Sequence, residues 1–344
     1  MTDLSDLPPY QKEYEVAGGL RALGSELKGC VDLLLRAFTE RHPGVVASLN
    51  YMTSSEGGIA GLMLGASDIA PMGDDAKITD LMPFYNTFRY VPTEISIATG
   101  GYDKRGTLFA WAIVVHKDNP IESVTMSQLD GIFGSERSGS WAVGEDESSN
   151  ILFTSKYARG AESNIRTWGQ LGLEGEWADR PIQTYGYAAP GFAVSFQRLV
   201  MNRSDKWNPN FMEYVEEKQA SADEAGTKVA SERMLEALSE DRSGIAWGAL
   251  MHIQNYPDVK VLAVAPDGGR PVPLRPETVI SRQYPLSRDA YVYLNRAPGR
   301  PLDPKVREFM RFVLSREGQE VIANAGIYSP LPLDHIKRQL DKLD

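Results

Sequence analysis

Thr53, Ser54 and Ser55 stand side by side, followed by Glu56 and the pair Gly57-Gly58, and only then do the apolar positions Ile59, Leu62 and Met63 begin. Hydroxyls, an acid in the first turn and small residues ahead of a helical apolar period mark a helix N-terminus. The free N–H groups of such an end form a site for an anion or a polar solute. The helix stops at Gly65, and Ser67-Asp68-Ile69-Ala70 reads as a short strand that delivers Asp68 to an edge. Ser25-Glu26 follows Gly24 in the same way, with Ser25 as N-cap of a helix over 27–41 and as a hydroxyl facing a pocket. The chemistry on offer is fixed hydrogen bonding to a small polar ligand.

Catalysis has no comparable signature. His42, His116, His252 and His335 are scattered without metal-ligand spacing, and there is no nucleophile elbow or phosphate-cradling lysine loop. The sequence therefore predicts no enzyme, no cofactor and no metal. Cys30 is the single cysteine of 344 residues and lies in an apolar helical pattern, which assigns it to packing. A formal charge of −10 argues against a nucleic-acid groove, which needs clustered Lys and Arg. No apolar run is long enough to span a membrane, and no signal peptide opens the chain.

The elements that must position these residues alternate. Strand patterns fall at 14–20, 45–49, 94–99, 107–115, 182–185, 244–248, 259–265 and 290–294. Helical patterns fall at 27–41, 127–133, 193–201, 223–238 and 304–325. His42-Pro43-Gly44 ends the first helix. The stretch 134–163 is polar and glycine-rich and carries Glu145-Asp146-Glu147; it reads as an insertion or mobile loop with a solvated acidic face. Alternating strands and helices define an α/β protein with ligands at the carboxyl ends of its strands.

Several stretches together resemble the phosphate-binding, PstS-like solute-binding proteins of ABC importers. They are Gly65-Ala-Ser-Asp-Ile-Ala-Pro-Met72 with its preceding Ser-Ser-x-Gly-Gly-Ile loop, Val115-His-Lys-Asp-Asn-Pro120, and Thr167-Trp-Gly-Gln-Leu-Gly-Leu-Glu-Gly-Glu-Trp-Ala-Asp-Arg-Pro181. Tyr284-Pro-Leu-Ser-Arg288, Phe309-Met-Arg-Phe-Val-Leu-Ser-Arg-Glu-Gly-Gln319 and Pro330-Leu-Pro332 follow in the family's order. The resemblance implies the type II periplasmic binding protein fold, with two α/β lobes, a ligand cleft between them and hinge closure on the solute. Residues 1–112 and 285–344 would form the first lobe and 113–284 the second. It also implies a monomer in the periplasm or outside the cytoplasm, with a small-molecule ligand and an ABC permease as partners. Met1-Thr-Asp-Leu-Ser-Asp then reads as the start of a mature form.

In that family hydroxyls and helix-end N–H groups, an arginine and a proton-accepting aspartate hold dehydrated phosphate. Ser25, Ser54 or Ser55, and Asp68 match by position. Pro71-Met72-Gly73-Asp74-Asp75 departs, since the family commonly reads Pro-Met-Ser-Arg there. So does Gly186-Tyr187-Ala188-Ala189-Pro190-Gly191-Phe192, where the family has Gly-Arg-x-x-x-Ser-Gly-Thr. Losing one charged hydrogen bond costs about 1.5–3 kcal/mol and a hydroxyl donor about 1 more. The expected ligand is thus a larger neutral, aromatic, apolar or cationic solute rather than inorganic phosphate. It would be held by Ser25, Glu26, Thr53, Ser54, Ser55, Glu56, Asp68, Met72, Tyr187, Gly191, Phe192 and Trp247. Trp247 reads equally as core, Asp74 and Asp75 as surface or cap residues, and Lys77 and Arg21 as local cations that keep phosphate open. The rival functions are a genuine phosphate-binding subunit and a recognition subunit of a surface receptor or sensor.

Overall fold

The computed structural model describes residues 4–25, 27, 29–51, 57–73, 75–100, 110–144, 150–187, 190–215, 229–249, 253 and 255–344. Two compact units divide the chain. Unit 1 comprises Met1–Gly106, Ala142–Leu152 and Arg288–Asp344, and unit 2 comprises Thr107–Trp141 and Phe153–Ser287. The chain thus passes between units four times, because 142–152 returns to unit 1.

In unit 1, β1 (Gly18–Gly24) and β2 (Val45–Tyr51) pair in parallel, Gly18 with Val45 through Gly24 with Tyr51. The helix α1 (Cys30–Arg41) connects them. An isolated parallel bridge from Ala22 to Ile69 joins β1 to the segment entering β3 (Ala70–Met72). The strand Asp289–Leu294 lies between β3 and β4 (Thr93–Thr99), antiparallel to both. Alternation decides the faces: Val45 is buried and Val46 exposed along β2, and Leu20 and Ala22 are buried on β1. Leu20, Val31, Leu34, Phe38, Ile95, Val292, Phe309 and Phe312 belong to one core under α1 and the closing helices Pro304–Val313 and Arg316–Ala325.

Two helix starts differ from expectation. α1 begins at Cys30 rather than near 27, because Leu27 (φ 50) and Gly29 (φ 86) are both left-handed and interrupt the helix. Its N-cap is Gly29, without a side-chain bond, so Ser25 is not the cap. Likewise α2 (Gly58–Met63) is capped by Gly57 at φ 89, again without a side chain.

Unit 2 is built on a five-stranded sheet in the order Met212–Tyr214, Gln183–Tyr187, Gly244–Ala249, β5 (Trp111–His116), Val259–Val261. The single strand expected over 259–265 is two. Ala263–Ala265 leaves the sheet to pair with Ser123–Thr125. β5 is buried along its whole length, as a strand covered on both faces must be.

The described part of 134–163 is no loose loop. Arg137 makes a bidentate pair with Asp130 at 2.7 Å for both bonds, and its Nε donates to the Tyr157 carbonyl at 2.9 Å. Arg159 donates to Ser135 O and Asn164 Oδ1, and Arg166 to the carbonyls of Gly131 and Gly134. The Arg166 guanidinium thus satisfies the last carbonyls of the helix Met126–Phe133, where the helix dipole favours cations. Burial, and then the charge of Arg159, hold Arg166 below the usual guanidinium range; for Arg159 burial is again the leading cause. The acidic run 145–147 lies outside the described residues.

Candidate functional site

The carboxyl ends of β1 and β3 come together in unit 1. The Ser25 N–H donates to the Pro71 carbonyl at 2.8 Å. A Cβ on Gly24 (φ 152) would lie 2.3 Å from that same oxygen, so only glycine allows the approach. The Ser25 hydroxyl accepts from the Leu27 N–H at 3.2 Å, a local turn that leaves the serine half-buried beside Gly73. A Cβ at Gly73 would meet Leu27 Cδ2 at 3.4 Å and Ser25 Oγ at 3.9 Å. Ser25, Leu27 and Gly73 are therefore immediate neighbours, with Leu27 buried under the loop.

Arg288, which the sequence reading did not place among the ligand residues, belongs to this end. Its Nη2 donates to the Gly73 carbonyl and its own carbonyl accepts from the Gly100 N–H at 2.7 Å. The available signal was its place in Tyr284-Pro-Leu-Ser-Arg288, directly ahead of the returning strand.

Three expectations for unit 1 are corrected. Asp68 is not a ligand acceptor beside Ser25. Arg21 Nη2 reaches its Oδ1 at 2.7 Å, and the Arg21 Nε and backbone N–H reach its Oδ2 at 3.2 and 2.8 Å. Along a strand rising about 3.3 Å per residue, Asp68 stands roughly 13 Å before Met72, toward the amino end of β3. Met72 is core, with Cγ 3.7 Å from where a Cβ on Gly58 would sit. Asp75 is buried rather than a surface residue. Glu26, Thr53, Ser54, Ser55, Glu56 and Asp74 lie outside the described residues.

Burial pushes the Asp68 carboxyl up, but the hydrogen bonds and charge of Arg21 outweigh it and hold the group below the usual carboxylate range. Its contribution to stability is therefore present above that range and lost as pH falls through the depressed pKa. Asp68→Asn should lower the thermal midpoint at neutral pH without changing solute affinity; a lost affinity would return Asp68 to the site.

In unit 2 the strands Gln183–Tyr187 and Gly244–Ala249 end beside the helix Pro190–Val200. Proline at the first helical position costs no hydrogen bond there. Gly191 falls in that first turn with Phe192, whose side chain lies outside the described residues.

The expected aromatic wall is interior, which corrects two further assignments. Trp247 is 0 % exposed and stacks on Phe196 at 4.7 Å and 14°, with Trp111 edge-on at 5.4 Å. Tyr187 is 2 % exposed and meets Trp247 edge-on at 5.5 Å. A Cβ on Gly248 would lie 3.2 Å from both the Tyr187 hydroxyl and Met234 Cε, and one on Gly186 would lie 2.4 Å from Trp247 Nε1. Glycine at 186 and 248 thus leaves room for the Trp247 and Tyr187 rings to pack inward.

Among the described residues no group of His, Cys, Asp and Glu could hold a metal, and no helix is long and apolar enough to cross a membrane. Cys30 is buried, which pushes its thiol up to about 12 and removes it as a nucleophile at neutral pH.

Each of the two α/β units holds parallel strand pairs whose carboxyl ends lead into glycine-containing turns, β1 with β2 in unit 1 and Gln183–Tyr187 with Gly244–Ala249 in unit 2, an arrangement suited to holding a small solute. The PBP superfamily domain matches residues 24–317, and the chain belongs to that superfamily and, within it, to the PstS-like solute-binding proteins. It is similar to the phosphate-binding protein PstS of Pseudomonas aeruginosa, 30% identical over 340 residues that cover 98% of this chain and 90% of the relative. Its fold resembles that of PstS from Borrelia burgdorferi, with a TM-score of 0.52 at 15% identity, over 90% of this chain and 98% of that one. An ABC-type phosphate transport receptor from Vibrio cholerae aligns with a TM-score of 0.51 at 17% identity, over 90% of this chain and 100% of that one.

Proposed function

We propose that this chain is the solute-capturing subunit of an ABC importer, working outside the cytoplasm and passing its solute to a permease, and that the solute is not inorganic phosphate. The observation that supports this reading is the placement of Tyr187. The family resemblance puts an arginine at that position, yet here the side chain is interior, packed on Trp247 beside Gly248. No guanidinium leaves this position to meet an oxyanion. Asp68, the matching acceptor in unit 1, is taken by Arg21. A charged hydrogen bond is worth about 1.5–3 kcal/mol, so its loss alone costs about one to two powers of ten in affinity.

The solute class that remains is a larger neutral or cationic molecule, held chiefly by hydrogen bonds at the carboxyl end of β1 and β3. Tyr187 and Trp247 no longer argue for an aromatic partner. Titration calorimetry with inorganic phosphate should give no binding at micromolar concentration, and micromolar or tighter binding would overturn the reading. Mass spectrometry of the solute that copurifies would identify what replaces it.

A second reading keeps phosphate, as the name of the P. aeruginosa relative suggests. Arg288 favours it, since its guanidinium stands over Gly73 where an anion would otherwise lack a cation. If calorimetry does find phosphate, Arg288→Gln should abolish the signal.

A further inference from the structure

We infer that the N-terminal segment 4–16 is a latch on unit 1 that mild acid releases, with His42 as the residue that takes up the proton. This rests on contacts within unit 1 and not on the identity of the solute.

The segment lies across two helices and is held at many points. Leu7 enters the core. Arg316 donates from its side chain to the carbonyls of Ser5 and Leu7 and from its backbone to Pro8. The Tyr10 N–H reaches Glu317 Oε2 at 2.6 Å, and the Glu13 N–H reaches Glu308 Oε1 at 3.0 Å. The Glu13 carboxylate pairs with Arg307 and Arg311.

At the centre is a buried relay whose protons can be counted. Tyr10 has one phenolic proton and donates it to Glu308 Oε2 at 2.6 Å. Its oxygen lies 2.7 Å from His42 Nε2 and must therefore accept from that nitrogen. Neutral His42 is thus the Nε2–H tautomer, and its Nδ1 carries a lone pair. That Nδ1 is buried with no hydrogen-bond partner; the nearest carboxylate oxygen, Glu15 Oε2, is 3.9 Å away and its side chain is exposed. A second proton on the ring would have to sit there without an acceptor at hydrogen-bonding distance. His42 itself is fully buried, with the Phe38 ring at 4.6 Å.

The charges around the ring come from every element packed on it. The latch contributes Lys12, Glu13 and Glu15, and α1 contributes Arg41. Glu308, Arg307 and Arg311 come from Pro304–Val313, and Glu317 from the helix after it. Burial first, and then Lys12, hold His42 below its usual value of 6.5, against the opposite pull of Glu15 and Glu308. The closed latch therefore favours neutral His42. The open latch hydrates the ring and lets it protonate near its ordinary value. As pH falls below about 6.5, opening gains a proton that closure cannot hold, and the latch loosens.

The test is hydrogen exchange on the full chain between about pH 7.5 and 5.5, with each rate divided by its intrinsic rate at that pH. Protection over 4–16 should fall on acidification by up to about tenfold per pKa unit of the His42 depression, while Ile113–Val115 of unit 2 stay unchanged. His42→Gln keeps an N–H for Tyr10 but does not titrate, so it should retain protection and lose the pH dependence. The wild-type His42 ring followed by NMR should titrate below 6.5. Constant protection, an undiminished fall in His42→Gln, or a titration above 6.5 would each overturn the latch.

Discussion

Trp247→Ala should destabilise unit 2 by about 3–5 kcal/mol, measured by urea unfolding, and should leave solute specificity untouched in whatever fraction remains folded. The indole fills the centre of an aromatic stack, with Phe196 at 4.7 Å, Trp207 at 6.3 Å and Tyr187 edge-on at 5.5 Å. Its removal opens a cavity that strand neighbours cannot fill, since Gly186 and Gly248 have no side chains to move. Trp247→Phe should be far milder. The Nε1–H is buried without an acceptor, so its deletion relieves an unmet donor while most of the ring packing stays. A pocket residue would give the reverse pattern: small stability losses and large changes in which solute is bound.

The second large effect is expected at Asp130. Its carboxylate is the bidentate partner of Arg137, whose side chain is 3 % exposed, and it lies 4.0 Å from Arg159. Asp130→Ala leaves buried guanidinium charge uncompensated, which typically costs about 3–5 kcal/mol. The loss should be local enough to appear in limited proteolysis as cleavage between 137 and 160, before the strands of unit 2 open. Cutting at wild-type rates would mean that the backbone carbonyls of Tyr157, Gly131 and Gly134 hold the arginines alone.

Most of the architecture was legible because strands and helices announce themselves through local periodicity. The β-rich run into β5, the α1 stripe of Val31, Leu34 and Phe38, and the returning strand Asp289–Leu294 all occur where the apolar pattern puts them. Positions that depend on a neighbour distant in sequence were not legible. The role of Asp68 is set by Arg21, 47 residues earlier and adjacent only once β1 and β3 align. The orientation of Trp247 is set by what covers each face of its strand, and alternation cannot distinguish two faces that are both buried. Ser25 has the type and spacing of an N-cap, but the left-handed turns at Leu27 and Gly29 postpone the helix to Cys30. The polar segment 134–163 looked mobile because its composition is that of a loop. Its order comes from Arg137 and Arg159, which find the Asp130 carboxylate on the preceding helix and the carbonyls of Tyr157 and Ser135.

The middle strand of the three-stranded part of unit 1 is Asp289–Leu294, so β3 and β4 have no ladder to join until that stretch has left the ribosome. Unit 2 ends at Ser287 and is complete by then. Synthesis therefore finishes the second unit while the first still exposes the apolar faces of β3, β4 and α1, an aggregation-prone state that ends only with the final sixth or so of the chain. A released chain truncated after Ser287 should consequently protect the aromatic cluster of unit 2 from protease while its first hundred residues are digested.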